Sequence, residues 1–280
     1  MCSDNGTEVT EIHLLGFQSL HNLRPLFFVV LLLLYIAIAG GNLSIVFLVM
    51  ISNNLKTPMF FFLKHLAIAD VLVTTSVVPM MLDIALKFKP SVSLGGCISQ
   101  LYFFGIFGFV QCFLLAVMSY DRYVALSNSL NYIVTMKPSL CFQLVFGSWA
   151  IIFSLTTSEF ILIDQFDFCG RSSLDQFFCD YSPLVELSTS DTTIVPWMDF
   201  ILLIFTLFFP FTFILVTYIY IVITILKIRS FDGIQKTFST CSSHPTSVCV
   251  YYGTFITIYI VPYIVFAVHC VDPIDKSNHI

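Results

Sequence analysis

The sequence predicts an all-α, polytopic transmembrane helix bundle, and two observations predict it. Hydrophobic residues fill 58% of the 280 positions and charged residues only 10%, for a mean hydropathy of +0.92. A soluble domain carries roughly a quarter charged residues, so this chain could not cover its own surface for water. The few charges also stand far apart. No Asp, Glu, Lys or Arg falls between Arg24 and Lys56, or between Lys89 and Asp121. Runs of that length exceed the roughly 20 apolar residues a helix needs to cross the hydrocarbon.

Read in order, such runs place spans near residues 25–50, 59–81, 97–120, 138–158, 200–226 and 237–262. Asp70 interrupts the second, Pro210 lies near the middle of the fifth, and His244, Pro245 and Pro262 fall in the sixth. The chain forms one membrane domain with no internal repeat and no low-complexity linker. Residues 1–24 are polar and acidic, with no basic stretch before an apolar one, so the first span must itself direct insertion.

Loop charge sets the orientation. Residues 159–199 are strongly acidic, with Arg171 the one basic residue, and the N-terminus is acidic too. Lys56, Lys64, Arg122, Lys137, Lys227, Arg229 and Lys236 fall on the opposite side. Lysine and arginine favour the cytoplasm. Residues 1–24 and the long loop 159–199 are therefore expected outside, and residues 272–280 as the start of a third outer loop. Asn5-Gly6-Thr7 is a glycosylation acceptor on that same side. Cys97, Cys169 and Cys179 also fall there, where disulfides persist.

Three features carry a mechanism. Asp121-Arg122-Tyr123 ends the third span. An acid and a base at that depth need partners, and such a pair can latch one helix arrangement and open in another. Asp70 is an intramembrane carboxylate, expected to face the bundle interior and to meet a polar group such as Asn42 of the first span. Cys97 opens the third span while Cys179 lies in the long loop, and a bridge between them would pin the loop over the mouth of the bundle. Cys112, Cys141, Cys241 and Cys249 read as small packing residues. Nothing points to an enzyme. There is no HExxH, no GxSxG and no catalytic carboxylate pair, and the histidines do not cluster at metal-ligand spacing. No cofactor or metal is expected, and no basic tract suggests nucleic acid.

Longer motifs then narrow the reading. Pro58-Met59-Phe60-Phe61-Phe62-Leu63 resembles the PMYFFL opening of the second helix in vertebrate odorant receptors. Met118-Ser119-Tyr120-Asp121-Arg122-Tyr123-Val124-Ala125 is similar to their MAYDRYVA. Lys236-Thr237-Phe238-Ser239-Thr240-Cys241-Ser242-Ser243-His244 resembles KAFSTCSSH. Leu14-Leu15-Gly16-Phe17, Gly41-Asn42, Gly96-Cys97 and Tyr251-Tyr252-Gly253-Thr254 follow in family order. The resemblance covers residues 10–276. It implies a rhodopsin-like G-protein-coupled receptor of the seven-helix type, in the plasma membrane with its N-terminus outside, here with only six spans.

The resemblance implies a small, mostly apolar odorant among the third, fifth and sixth helices, with Phe104, Gly105, Gly108, Phe109, Tyr252, Phe255, Ile256 and Tyr259 lining its site. It further implies that Asp121, Arg122 and Tyr123 act on a heterotrimeric G protein of the stimulatory type. Some positions depart from the family. Thr189 stands where the family carries a third loop cysteine, so Cys97–Cys179 is the one bridge expected and Cys169 lacks a partner. Gln176 replaces a histidine, Ile234-Gln235 replaces two basic residues, and Pro245 replaces an aliphatic one. The family's seventh helix should follow Asp275-Lys276, where few residues remain, so a fragment, an incomplete gene model or a pseudogene product is expected here rather than a competent receptor. A six-span transporter or channel is the alternative. Its absence of inverted repeats and of charge at mid-membrane, Asp70 apart, argues against it.

Overall fold

A computed structural model describes residues 9–16, 23–87, 91–128, 131–170, 172–189, 198, 201–227 and 243–260. Two compact units divide the chain, Met1–Thr217 and Tyr218–Ile280. In the first unit, α1 (Arg24–Ile51), α2 (Pro58–Leu86) and α3 (Leu94–Ser127) are followed by a short α4 (Tyr132–Thr135) and by α5 (Pro138–Ile163). The small α6 (Tyr181–Leu187) precedes α7 (Ile201–Leu226), which runs on into the second unit. There α8 (Ser243–Phe255) continues as a π turn, Ile256–Ile260. Among the described residues, α1, α2, α3, α5 and α7 are long and apolar enough to cross a membrane. The fold is a polytopic helical bundle. The sixth expected span, 237–262, is described from Ser243 to Ile260 and is helical there.

Local chemistry explains the helix ends. Pro25, Pro58 and Pro138 stand in the first turns of α1, α2 and α5. A missing N–H costs nothing at that position, and the fixed φ is already helical. Ser93 caps α3 by accepting from the Gly96 N–H across 3.2 Å. Residues 204–208 of α7 form a π turn directly before Pro210. The proline ring would clash with the carbonyl four residues back, that of Thr206, and a widened turn relieves the clash.

The helices outrun the expected spans: α3 extends to Ser127, and α5 reaches Ile163, into the stretch assigned to the long loop. Residues 1–24 are not simply polar tail either. Glu11–Leu14 forms β1, the middle strand of a three-stranded sheet. It pairs antiparallel with β2 (Ser91–Ser93) and parallel with β3 (Ser173–Leu174). Ile12 and Leu14 are fully buried, while Glu11 and His13 are exposed. Such alternation is the period of a strand.

The core lies in two layers. One gathers beneath the sheet: Ile12, Leu14, Ile84, Cys97, Cys179 and Leu184 are buried together. The other runs down the bundle, where Phe62, Val110, Leu114 and Ile152 join α2, α3 and α5. By contrast α1 has no buried residue. In water this would be untenable, but lipid tails are as apolar as the side chains they meet.

Candidate functional site: the two ends of helix α3

The helix α3 carries a loop at one end and a carboxylate at the other. Near its start, Cys97 is disulfide-bonded to Cys179, 82 residues away, with Cα atoms 5.4 Å apart. Both are buried. One turn on, the Gln100 side-chain carbonyl accepts from the Cys179 N–H at 3.3 Å. The Phe104 ring stands 6.0 Å from that of Phe178. Covalent, polar and aromatic contacts thus hold one short loop segment against one helix face. The adjoining Asp180 is outside the spans. Burial pushes its carboxyl above the ordinary carboxylate value, and a hydrogen bond from the Tyr181 N–H opposes this.

Cys169 corrects the sequence reading. It too is disulfide-bonded, although no loop cysteine occupies position 189. Among the described cysteines Cys112, Cys141 and Cys249 carry no disulfide, so its partner lies outside the described residues. Position alone could not reveal a partner that a fold brings from a distance.

Along the middle of α3, a β-carbon on Gly105 would meet the Thr156 methyl at 3.4 Å, and one on Gly108 would meet Val73 at 3.9 Å. These two glycines therefore stand against α5 and α2. Phe104 and Phe109 are half-buried. In the second unit Tyr252 is buried beside the ring of Tyr251, Phe255 is half-buried and Ile256 is exposed. The side chain of Tyr259 and the whole of Asn5 lie outside the described residues.

Asp70 does not meet Asn42. The Asn42 amide donates instead to the Ile38 carbonyl of its own helix at 3.0 Å. Asp70 Oδ1 accepts from Gln111 Nε2 at 2.8 Å, which ties α2 to α3. Gln111 was missed, yet a signal was present: it is a large amide in the middle of a run of apolar residues. A buried amide within reach of a carboxylate satisfies both groups.

At the far end of α3, Asp121 is 1% exposed. Its Oδ1 accepts from the Tyr132 hydroxyl at 2.7 Å, so α4 closes over the acid. Arg122 forms no ion pair with any described residue. Tyr132 was also missed by sequence reading. Burial, then the hydrogen bond and charge of Asp121, raise its phenol above the ordinary value. The phenol therefore stays a neutral donor.

The family described as "Olfactory receptor" matches residues 31–271. Olfactory receptor 5G9 of Mus musculus is 41% identical over 262 residues, which is 94% of this chain and 83% of that protein. Olfactory receptor 11L1 of Homo sapiens is 42% identical over 258 residues, 92% and 80% of the two. Olfactory receptor 5P76 of Mus musculus reaches 44% over 266 residues, 92% and 82%.

The chain belongs to the olfactory receptor family. It is a multi-pass membrane protein, and members of this family are receptors rather than enzymes. Within the receptor's second unit, the Tyr218 hydroxyl shares a hydrogen bond with His244 Nδ1, and their rings stack at 5.8 Å. His244 ends the KAFSTCSSH-like run, whose residues 236–242 lie outside the described part. Pro245 falls within α8.

Proposed function

We propose that the receptor binds a small, mostly apolar odorant beside α3, beneath the loop that Cys97–Cys179 holds in place. In this reading Phe104 and Phe109 of α3, both half-buried, line the site. The chain sits in the plasma membrane with its N-terminus outside. Asp121, Arg122 and Tyr123 face the cytoplasm and act on a stimulatory heterotrimeric G protein.

One observation supports this most. Asp121 is committed to Tyr132 and leaves Arg122 without an ion pair among the described residues. A buried acid held by a neutral donor keeps the end of α3 in one arrangement, while the neighbouring guanidinium stays available to a partner. Ligand binding can move such an equilibrium only through a difference in affinity for its two states.

The test uses the purified full chain in lipid nanodiscs with a stimulatory G protein and guanine nucleotide. Short aliphatic alcohols, aldehydes and ketones serve as ligands. At least one should raise nucleotide exchange, and Arg122→Ala should abolish the increase. Exchange that no ligand raises, or that Arg122→Ala leaves intact, overturns the proposal.

A further inference from the structure

The first unit also holds a groove of about 700 Å³. It lies among the end of α1, the short turn after it, the start of α2, α4 and the first turns of α5. Its chemistry is split. Met50, Phe61 and Ile133 give it apolar walls, and Met50 and Ile133 are 68% and 84% exposed. Lys56 and Lys64 add two ammonium groups, and no carboxylate lines it. Neither lysine forms an ion pair with a described residue. Lys64 Nζ instead sits 5.2 Å from the centre of the Phe61 ring.

Position decides which molecule can satisfy both halves. Three membrane-crossing helices end or begin around this groove, at Ile51, Pro58 and Pro138. That level is the boundary between hydrocarbon and headgroups. A ligand there must carry negative charge beside long apolar chains. The positive residues mark this side as cytoplasmic, the leaflet in which anionic lipids concentrate and attract basic side chains.

We propose that the groove binds an anionic glycerophospholipid of the cytoplasmic leaflet. Its phosphate lies between Lys56 and Lys64, and its acyl chains run along Met50, Phe61 and Ile133. The groove also includes Tyr132, so a seated lipid touches the ring whose hydroxyl holds Asp121. The inference requires membrane embedding and the cytoplasmic placement of this face, but neither odorant binding nor G-protein coupling. Its failure is therefore distinct from failure of the exchange assay.

Native mass spectrometry of the detergent-solubilised full chain, titrated with phosphatidylserine or phosphatidylcholine, tests it. Phosphatidylserine should be retained preferentially. Each of Lys56→Gln and Lys64→Gln should weaken that retention by about fivefold, the effect of one basic residue near an anionic surface. Lys56→Arg and Lys64→Arg should keep the preference, which separates lost charge from lost folding. Lys87→Gln, which breaks an ion pair with Asp83 elsewhere on α2, should leave it unchanged. Equal retention of the two lipids, or a preference untouched in the Lys56→Gln/Lys64→Gln double variant, overturns the proposal. So does loss of the preference in Lys87→Gln, or displacement of the lipid by soluble glycerophosphoserine at matching concentration.

Discussion

The Tyr132 hydroxyl donates to Asp121 Oδ1 across 2.7 Å, joining a short loop helix to the buried end of α3. Removing that donor leaves a buried acid without the partner the fold gives it. Tyr132→Phe should destabilise the receptor by about 1–3 kcal/mol, the usual cost of an unsatisfied buried group. It should also raise ligand-free nucleotide exchange on an added G protein. Thermal unfolding and basal exchange measure the two effects separately, and a variant matching wild type in both would remove Tyr132 from the switch. The phenol's value is raised from 10.0 in the fold. Its contribution is thus complete below the unfolded value and lost only as pH rises through the higher folded one. Across the neutral range basal exchange should show no step from this group.

Gln111 and Asp70 bind α3 to α2 through one 2.8 Å hydrogen bond. Gln111→Leu and Asp70→Leu should each destabilise, while the double variant should cost less than their sum. Couplings of this kind inside membranes average about 0.6 kcal/mol and reach roughly 1.7. A double-mutant cycle on unfolding in detergent measures the coupling, and a value of zero would count against the pairing.

Asp180 gives a pH dependence outside the spans. Its folded value is raised above 3.8 by burial, so the fold disfavours the charged form. Any stability from the protonated group is present below the unfolded value and fades as pH rises through the folded one. Asp180→Asn keeps an oxygen for the Tyr181 N–H but carries no charge to bury. The variant should melt above wild type at neutral pH, with the gap closing on acidification. A gap that widens toward low pH would reverse the sign and refute the assignment.

Gly16 passes close to the loop that follows β3. A β-carbon there would lie 2.8 Å from the backbone carbon and oxygen of Gln176. Both obstacles are main chain, so neither can swing away as a side-chain tip could. Gly16→Ala should cost about 1–3 kcal/mol, as overpacking does, and should raise hydrogen exchange at Leu15, whose N–H bonds to the Leu174 carbonyl at 2.8 Å. Unchanged exchange at that amide would show that the strand tolerates the methyl.

The disulfide assignment is open to direct mapping. Alkylation of denatured, unreduced receptor should label Cys112, Cys141 and Cys249 and spare Cys97, Cys169 and Cys179. Labelling of Cys169 under those conditions would restore the reading in which Cys97–Cys179 stands alone. Loss of the Cys97–Cys179 bridge should cost about 2–5 kcal/mol.

Membrane embedding, the approximate spans and family membership were determined by the sequence itself. A spanning helix satisfies its own backbone hydrogen bonds, so a charge-free apolar run suffices to place it, with no knowledge of its neighbours. Asp121, Arg122, Cys97 and Cys179 were legible because they stand in motifs or at span ends. The partners of buried polar groups were not. The sequence offers Asn42 as a partner for Asp70, whereas the rotation and packing of α2 against α3 select Gln111. The strand at Glu11–Leu14 did alternate in sequence, but four residues with partners some 80 and 160 positions away form a strand only once the fold supplies those partners. Tyr132 reaches Asp121, and Cys169 finds its cysteine, for the same reason. Local pattern makes a helix, whereas a contact between distant side chains exists only after the helices and loops have packed.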